Sequence, residues 1–323
     1  EITTRLVGSE MCIRDRNITG IITEYNPFHN GHLHHLQQCK KTTKCDGTIC
    51  IMSGNFMQRG GPAIIDKWKR AEMAIENGVD LVIELPTYYA VSSAEFFAYG
   101  AVSILNSLGI VNNLFFGSES GDVKSLTKIA QTLVNEPLEF QEILKRNMNN
   151  GLTFAKAREL SLIEFTNDKH IENIISSSNN ILGIEYIKAI LKLNSKIVPL
   201  SLKREGSGYN DKELSNSFSS ATSIRETLKG KNDISLIKDA VPEQSFNILQ
   251  ELKTSNYPFT FEESMFQYIK YLITTNCINF NNLSEVKEGI DKKISKEIEN
   301  SSSLDDLILN VKSKRYTLSL IHI

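Results

Sequence analysis

The chain has 323 residues, 41% of them hydrophobic and 23% charged, enough to bury one large core or two modest ones. Lys and Arg total 36 against 38 Asp and Glu, a net charge of -2, so no global basic field advertises nucleic acid and any RNA contact must come from a local patch. Five cysteines without paired metal-ligand spacing read as reduced thiols of a cytoplasmic chain, and no apolar run approaches the roughly 18 residues that span a bilayer.

Residues 1–16 carry neither helical period nor caps nor the apolar block of a secretory signal, and are expected to be extraneous to the fold or disordered. From Ile18 onward, short apolar runs alternate with helical periodicity, the pattern of a parallel sheet covered by helices. Ile18–Thr23 predicts a first strand and Gly31–Lys41 a helix, followed by a strand at Thr48–Met52 and a helix at Asp66–Asn77. Leu81–Leu85 reads as a strand, Ser92–Leu108 as a helix and Asn113–Phe116 as a strand. Residues 122–175 are mostly helical in pattern and rich in Asn, Lys and Glu, as an insertion would be. A helix at Asn179–Leu193, a strand at Lys196–Leu202 and a Ser- or Thr-capped helix at Ser220–Leu228 complete a first unit spanning 17–230. After Lys231 the strand signals vanish. Residues 231–317 read as a helical C-terminal region, with Val286–Ile298 placing charge on one face and Ile or Val on the other. That region is expected to be truncated, and residues 318–323 to be extraneous.

Chemistry concentrates first in Thr23-Glu-Tyr-Asn-Pro-Phe-His-Asn-Gly-His-Leu33. A strand ends near Glu24, Pro27 bends the chain, and Gly31 admits a close backbone approach where a helix begins. The free N–H groups and positive dipole of that helix N-terminus favour an anion. His29 and His32 flank the glycine, so both imidazoles can address one phosphate chain and stabilise charge developing on it during phosphoryl transfer. The competing reading is a turn with surface histidines or a metal site. No His/Cys/Asp cluster has the spacing of a protein metal cage, and neither a Gly-x4-Gly-Lys-Ser/Thr loop nor a Gly-x-Gly-x-x-Gly fingerprint is present.

His29-Asn-Gly-His32 resembles the HxGH signature of the nucleotidyltransferase superfamily. Ser219-Ser-Ala-Thr-Ser-Ile-Arg225 stands about where that superfamily has a second, phosphate-contacting motif, and its hydroxyls, amides and guanidinium suit β- and γ-phosphates. A narrower resemblance covers nearly everything from Gly20 to Thr317. Gly20–Leu33, Met52-Ser-Gly-Asn-Phe-Met-Gln-Arg-Gly60, Asp80–Pro86, Phe115-Phe-Gly-Ser-Glu119 and Ser178-Asn-Asn-Ile-Leu-Gly-Ile-Glu-Tyr186 occur in the order that is similar to the bacterial tRNA(Met) cytidine acetate ligase family. The resemblance implies an α/β fold with a Rossmann-like parallel sheet of the HxGH nucleotidyltransferase type and a mostly helical C-terminal region. It implies that ATP and acetate form acetyl-adenylate, and that the acetyl group passes to the wobble cytidine amine of elongator tRNA(Met). It places ATP along Ile22, Thr23, Glu24, Tyr25, Asn26, Pro27, Phe28, His29, Asn30, Gly31, His32, Leu33, His34 and His35, with Gly117, Asn179 or Asn180, Arg204, Ser219, Ser220, Thr222 and Arg225 joining them. His29 and His32 would be catalytic, while the imidazoles of His34 and His35 read as surface groups or supports behind them. Mg2+ is expected to ride on the ATP phosphates with few protein ligands.

The same positions have plainer explanations. Gly117 suits a turn, one of Asn179 and Asn180 suits a helix cap after Ser176-Ser-Ser178, and Arg204 suits a surface ion pair with Glu205. The loop after the second strand supplies Ser53, Asn55, Gln58 and Arg59 as candidates for the acyl group or cytidine, and Lys67 and Arg70 follow on the next helix. Trp68, the single tryptophan, reads as core, with base stacking as the alternative. Glu84 and Glu119 are further polar groups at the same sheet edge. Lys40–Lys44, Lys67–Arg70, Lys292–Lys296 and Lys312–Arg315 are the local basic groups open to tRNA; no membrane or DNA partner is expected. An adenylyltransferase of a small metabolite and a tRNA-binding module without chemistry are the competing functions.

Overall fold

The computed structural model describes residues 16–168, 170–204, 220–230, 233–283, 286, 289–313 and 321. Five strands form one parallel sheet: β1 (Ile18–Thr23), β2 (Gly47–Ser53), β3 (Leu81–Leu85), β4 (Val111–Ser118) and β5 (Val198–Lys203). Their order is β3-β2-β1-β4-β5. The chain therefore winds outward from β1 to β3, then returns to β1's other side for β4. That reversal opens a crevice at the carboxyl ends of β1 and β4, where open α/β sheets hold ligands.

Helices fill the connections. They are α1 (Asn30–Thr43), α2 (Lys67–Glu76), the short α3 (Thr87–Ala90), α4 (Ala94–Ser107), α5 (Val123–Asn135), α6 (Leu138–Asn149), α7 (Phe154–Thr166), α8 (His170–Ile175), α9 (Ser178–Lys192) and α10 (Ala221–Gly230). Alternation along the strands assigns their side chains to two cores. Ile49, Ile51, Leu114 and Phe116 face one core with Phe97 of α4 and Ile187 of α9, whereas Ile21, Cys50, Met52 and Phe115 face the other with Leu36 of α1 and Met73 of α2.

The helical C-terminal region divides in two by packing. Ile237, Phe246 and Leu249, from a 3-10 turn (Ile234–Ala240) and α11 (Glu243–Thr254), enter the same core as Ile21 of β1. A separate cluster of Phe266, Ile273, Ile290, Ile298, Leu307 and Val311 joins α12 (Phe266–Thr274), α13 (Ile290–Asn300) and α14 (Leu304–Val311). Composition carries no mark of that division, because both parts are amphipathic helix.

Two expectations need correction here. The helix read over Val286–Ile298 begins only at Ile290, because Gly289 takes φ +83° and a left-handed residue interrupts the helical path. Trp68 is 75% exposed and outside the core. On α2 the inward positions are Arg70, Met73 and Ala74, and this spacing turns Lys67 and Trp68 outward. The expectations at residues 1–15, Glu205, Ser219, Lys314, Arg315 and most of 316–323 lie outside the described residues. Among the described residues, no helix is long and apolar enough to cross a membrane.

Candidate active site

A cavity of about 660 Å³ occupies the crevice. Its first wall is the turn from β1 to α1. In this turn Tyr25 adopts φ 47° and the Asn26–Pro27 peptide is cis. Buried rings support the bend: Tyr25 meets Phe28 at 4.6 Å and His32 at 4.9 Å between ring centroids. Asn26 ties the bend to its neighbours, its Oδ1 accepting from Ile64 N–H at 2.9 Å and its carbonyl from Arg225 Nη1 at 2.8 Å. Asn30 faces away from the cavity and donates to the Asp239 carbonyl at 2.8 Å.

The two histidines cap α1 reciprocally. Gly31 N–H donates to His29 Nδ1 at 3.0 Å, and His29 N–H donates to His32 Nδ1 at 3.3 Å. The rings stack with centroids 3.7 Å apart. A Cβ on Gly31 would stand 2.9 Å from His29 Cε1, so a side chain there would push this ring aside. Because both Nδ1 atoms accept, each neutral ring carries its proton on Nε2, and that N–H is the group left for a ligand. Burial, then the charge of Arg204 and Arg225, pushes His29 down to about 3; burial and the His29 and Arg204 charges hold His32 well below its usual value. Both are therefore neutral donors at pH 7. His35 also lines the cavity: its ring packs 5.1 Å from Phe115 and its Nε2 is buried without a hydrogen-bond partner among the described residues. The surface reading of His35 gives way to an inward one, since α1 turns this residue toward β4.

These histidines also set an acid limit on the fold. In the unfolded chain each protonates near its ordinary value of 6.5, whereas burial lowers His29 to about 3 and His35 to about 4. Between those values the unfolded state binds more protons, so the contribution is complete above pH 6.5 and is lost as pH falls toward 3. Urea midpoints are expected to fall on going from pH 7.5 to pH 4.5, and to fall less in a His35→Gln variant. An equal fall in the two proteins would remove His35 from this effect.

The second wall comes from β4, α9 and β5. Glu119 caps α9 from outside the helix: Oε1 accepts from Asn179 N–H at 3.2 Å and Nδ2 at 2.8 Å, and Oε2 accepts from Asn180 N–H at 2.8 Å. The capping read for Asn179 or Asn180 is thereby taken over by a strand-end carboxylate. Asn180 is 1% exposed, and its Oδ1 accepts from Ser120 N–H at 3.1 Å, which fixes the β4–α5 loop. Asn179 faces the cavity, its Oδ1 accepting from Arg204 Nη1 at 3.4 Å. A Cβ on Gly117 would lie 3.3 Å from Arg204 Cγ and 4.0 Å from His35 Cδ2, so a side chain there would intrude between them. Asn179→Ala is expected to raise the KM for ATP several-fold with a melting temperature close to wild type. Asn180→Ala should instead lower stability by about 1–3 kcal/mol, the cost of an unpaired buried donor. Thermal melts and ATP titrations of both variants check the division, and the reverse assignment of effects would overturn it.

The third wall is the start of α10. Ser220 Oγ accepts from Ser223 N–H at 3.1 Å as a cap, and Arg225 Nη2 donates to Thr222 Oγ1 at 3.1 Å. With Arg225 Nη1 on the Asn26 carbonyl, the two sequence motifs are in direct contact although 199 residues separate them.

The loop after β2 splits between cavity and support. Gln58 and Arg59 line the cavity; Gln58 N–H donates to Glu24 Oε1 at 2.6 Å, and its Nε2 to the Ser92 carbonyl at 2.8 Å. Arg70 is fully buried, donating to the carbonyls of Glu24 at 2.5 Å, Ser53 at 3.0 Å and Gly54. Ser53 is likewise fully buried, and Asn55 Oδ1 accepts from Lys67 N–H at 3.1 Å. Lys67 Nζ lies 2.6 Å from Glu84 Oε2. Ser53, Asn55, Lys67 and Arg70 are thus outside the cavity; Asn55 and Arg70 satisfy backbone groups of this segment, and Lys67 is held by Glu84.

Phe97, Phe116, Leu182 and Tyr186 line the cavity as an apolar side that motif reading missed. The signal was spacing: Asn179, Leu182 and Tyr186 fall on one face of α9. The cavity thus combines neutral N–H donors, guanidiniums, one carboxylate at its floor (Glu24) and a wall of rings, an arrangement suited to a polyanionic nucleotide beside a small planar acceptor.

A family model described as HIGH Nucleotidyl Transferase matches residues 16–322. The tRNA(Met) cytidine acetate ligase of Clostridium novyi (strain NT) is 52% identical over 306 residues, covering 94% of this chain and 76% of that protein. The protein of the same name from Clostridium acetobutylicum is 49% identical over 312 residues, covering 94% and 77%. Among solved structures, Thermotoga maritima TmcAL bound with alpha-thio ATP superposes with a TM-score of 0.85 at 37% identity, covering 95% of this chain and 73% of that one. Its apo form I superposes with a TM-score of 0.88.

Proposed function

Because the chain belongs to the tRNA(Met) cytidine acetate ligase family, we propose that it activates acetate with ATP as acetyl-adenylate and transfers the acetyl group to the exocyclic amine of the wobble cytidine of elongator tRNA(Met). The observation that carries the proposal is the pair of neutral imidazoles, each with Nε2–H available, on the same cavity as Arg204 and Arg225. In the first step an acetate oxygen attacks the α-phosphorus and pyrophosphate departs with the electron pair. Charge grows on the α-phosphoryl oxygens and the leaving group, and fixed donors that need no reorganisation lower that barrier. His29 and His32 donate at the α- and β-phosphates, and Arg225, held on the Asn26 carbonyl, addresses the outer phosphates with Ser220 and Thr222. Gly117, Asn179 and Arg204 hold the adenosine end. Ser219 belongs to the same motif but lies outside the described residues.

In the second step the cytidine amine attacks the acetyl carbon and AMP leaves. Mg2+ carried on the phosphates would supply further charge neutralisation. This fits a phosphate side built from imidazoles and guanidiniums, and among the described residues no group of three or more His, Cys, Asp or Glu could hold a metal ion. For RNA contact the proposal keeps Arg59 at the cavity and Lys67 outside it, and adds Trp68, whose exposed ring lies 5.3 Å from Lys67 Nζ and can stack on a base.

The test is incubation with ATP, labelled acetate and unmodified elongator tRNA(Met). Acetate-dependent pyrophosphate release with label in RNA is the expected result. Pyrophosphate release only with a different small acceptor would replace the proposal by a metabolite adenylyltransferase, and RNA binding without turnover would replace it by a binding module.

A further inference from the structure

We propose that the Glu24 carboxylate receives the acceptor base, taking one N–H of the cytidine amine as a hydrogen bond and that proton as the acetyl group is transferred; this rests on the acetyl-transfer reading above. Glu24 follows the last residue of β1 and precedes the phosphate turn, so its side chain enters the crevice where nucleotide and acceptor must meet. Its placement is held from two sides. Arg70, fully buried, donates to its carbonyl at 2.5 Å, and Gln58 N–H donates to Oε1 at 2.6 Å. Among the described residues no hydrogen bond reaches Oε2, which leaves an unpaired acceptor open to the cavity.

The surroundings favour this role over a purely structural one. Cationic groups face the carboxylate from three elements: Arg59 on the β2–α2 loop, Arg70 on α2 and Arg225 on α10. Tyr186 faces it from α9, close enough that its phenol is raised by burial and then by the Glu24 charge. The guanidiniums and the Gln58 N–H favour the ionised form, while burial outweighs them and raises the carboxyl above its ordinary value, toward a better proton acceptor. The other carboxylate at the cavity, Glu262, is exposed at the rim.

Selectivity follows from the same atom. An ionised carboxylate only accepts hydrogen bonds, so it attracts the donor amine of cytosine and repels the carbonyl oxygen that uracil presents at that position. During transfer the amine nitrogen bonds to the acetyl carbon and the bond from that carbon to the AMP oxygen breaks, its electron pair leaving on AMP. One amine proton passes to Glu24 Oε2 and then to water.

The test separates the two half-reactions in Glu24→Gln, which keeps the acceptor oxygen for Gln58 N–H but lacks the charge and the basic site. Acetate-dependent ATP–pyrophosphate exchange reports adenylate formation, and single-turnover acetyl transfer to unmodified elongator tRNA(Met) reports the second step. Transfer is expected to fall about 10²- to 10⁴-fold. Exchange should fall at least ten times less, which also certifies the fold, and Glu24→Asp should recover part of the transfer rate. Equal losses in both steps would make Glu24 a nucleotide-holding residue, and an unchanged transfer rate would remove it from the reaction; either result overturns the inference. Absence of acetate-dependent exchange in the wild-type protein would instead overturn the acetyl-transfer reading itself.

Discussion

Replacement of His32 by alanine is expected to lower acetate-dependent ATP–pyrophosphate exchange by about 10²- to 10³-fold, the usual effect of removing one fixed donor from a transition-state charge. The loss should fall on kcat more than on the KM for ATP, because the Nε2–H donor gains strength as charge moves onto the phosphoryl oxygens. Alanine is a good helix former, and what the fold loses is the bond from His29 N–H to His32 Nδ1, the stack on the His29 ring, and ring contacts with Tyr25 and Phe28. A melting temperature within a few degrees of wild type should therefore accompany the lost activity. Exchange at the wild-type rate would sink the phosphate-site assignment.

Arg70→Ala should have the largest effect on stability of any substitution around the cavity. The change strips the donor from three loop carbonyls, those of Glu24, Ser53 and Gly54, and leaves a void where a fully buried side chain stood. A loss on the order of 3–5 kcal/mol is expected, read as a shift of the denaturant midpoint. Arg70→Lys should recover only part of it, since a compact ammonium cannot reproduce the planar fork that reaches all three carbonyls. A stable Arg70→Ala protein whose RNA affinity loses about one unit of salt slope would return Arg70 to the RNA-contact role that sequence position alone assigned.

Arg70 and Trp68 illustrate where reading by residue type fails. Both lie in Asp66-Lys-Trp-Lys-Arg70, and type alone sends the cation outward and the indole inward. The helix phase does the opposite, because Met73 and Ala74 must face the core and Arg70 lies one turn before them. An inward guanidinium is tolerated there because the chain leaving β1 and β2 supplies three carbonyls, those of Glu24, Ser53 and Gly54, that accept from it. Asn179 and Asn180 make the same point at finer scale: adjacent residues of one motif point in different directions around α9, and the bond from Ser120 N–H to the buried Asn180 Oδ1 shows which side chain is spent on the fold, while Asn179 reaches the cavity.

What the sequence determined by itself was local and ordered along the chain. Strand and helix periods located all five strands and the longer helices beside them, though not the one-turn helix Thr87–Ala90 or the separate helices within 122–175, since alternation and the 3.6-residue repeat are properties of neighbouring residues. The Glu24–His32 segment could be read as a candidate phosphate turn because its proline, glycine and histidines fall within one stretch, and the order of dispersed motifs marked the family. The tertiary structure decided everything that depends on distant segments meeting. It brought Arg225 onto the Asn26 carbonyl, gave the capping of α9 to Glu119, enclosed Arg70 and exposed Trp68. It also fixed the proton on Nε2 of His29 and His32, because that tautomer depends on which backbone N–H groups the folded turn presents to each ring.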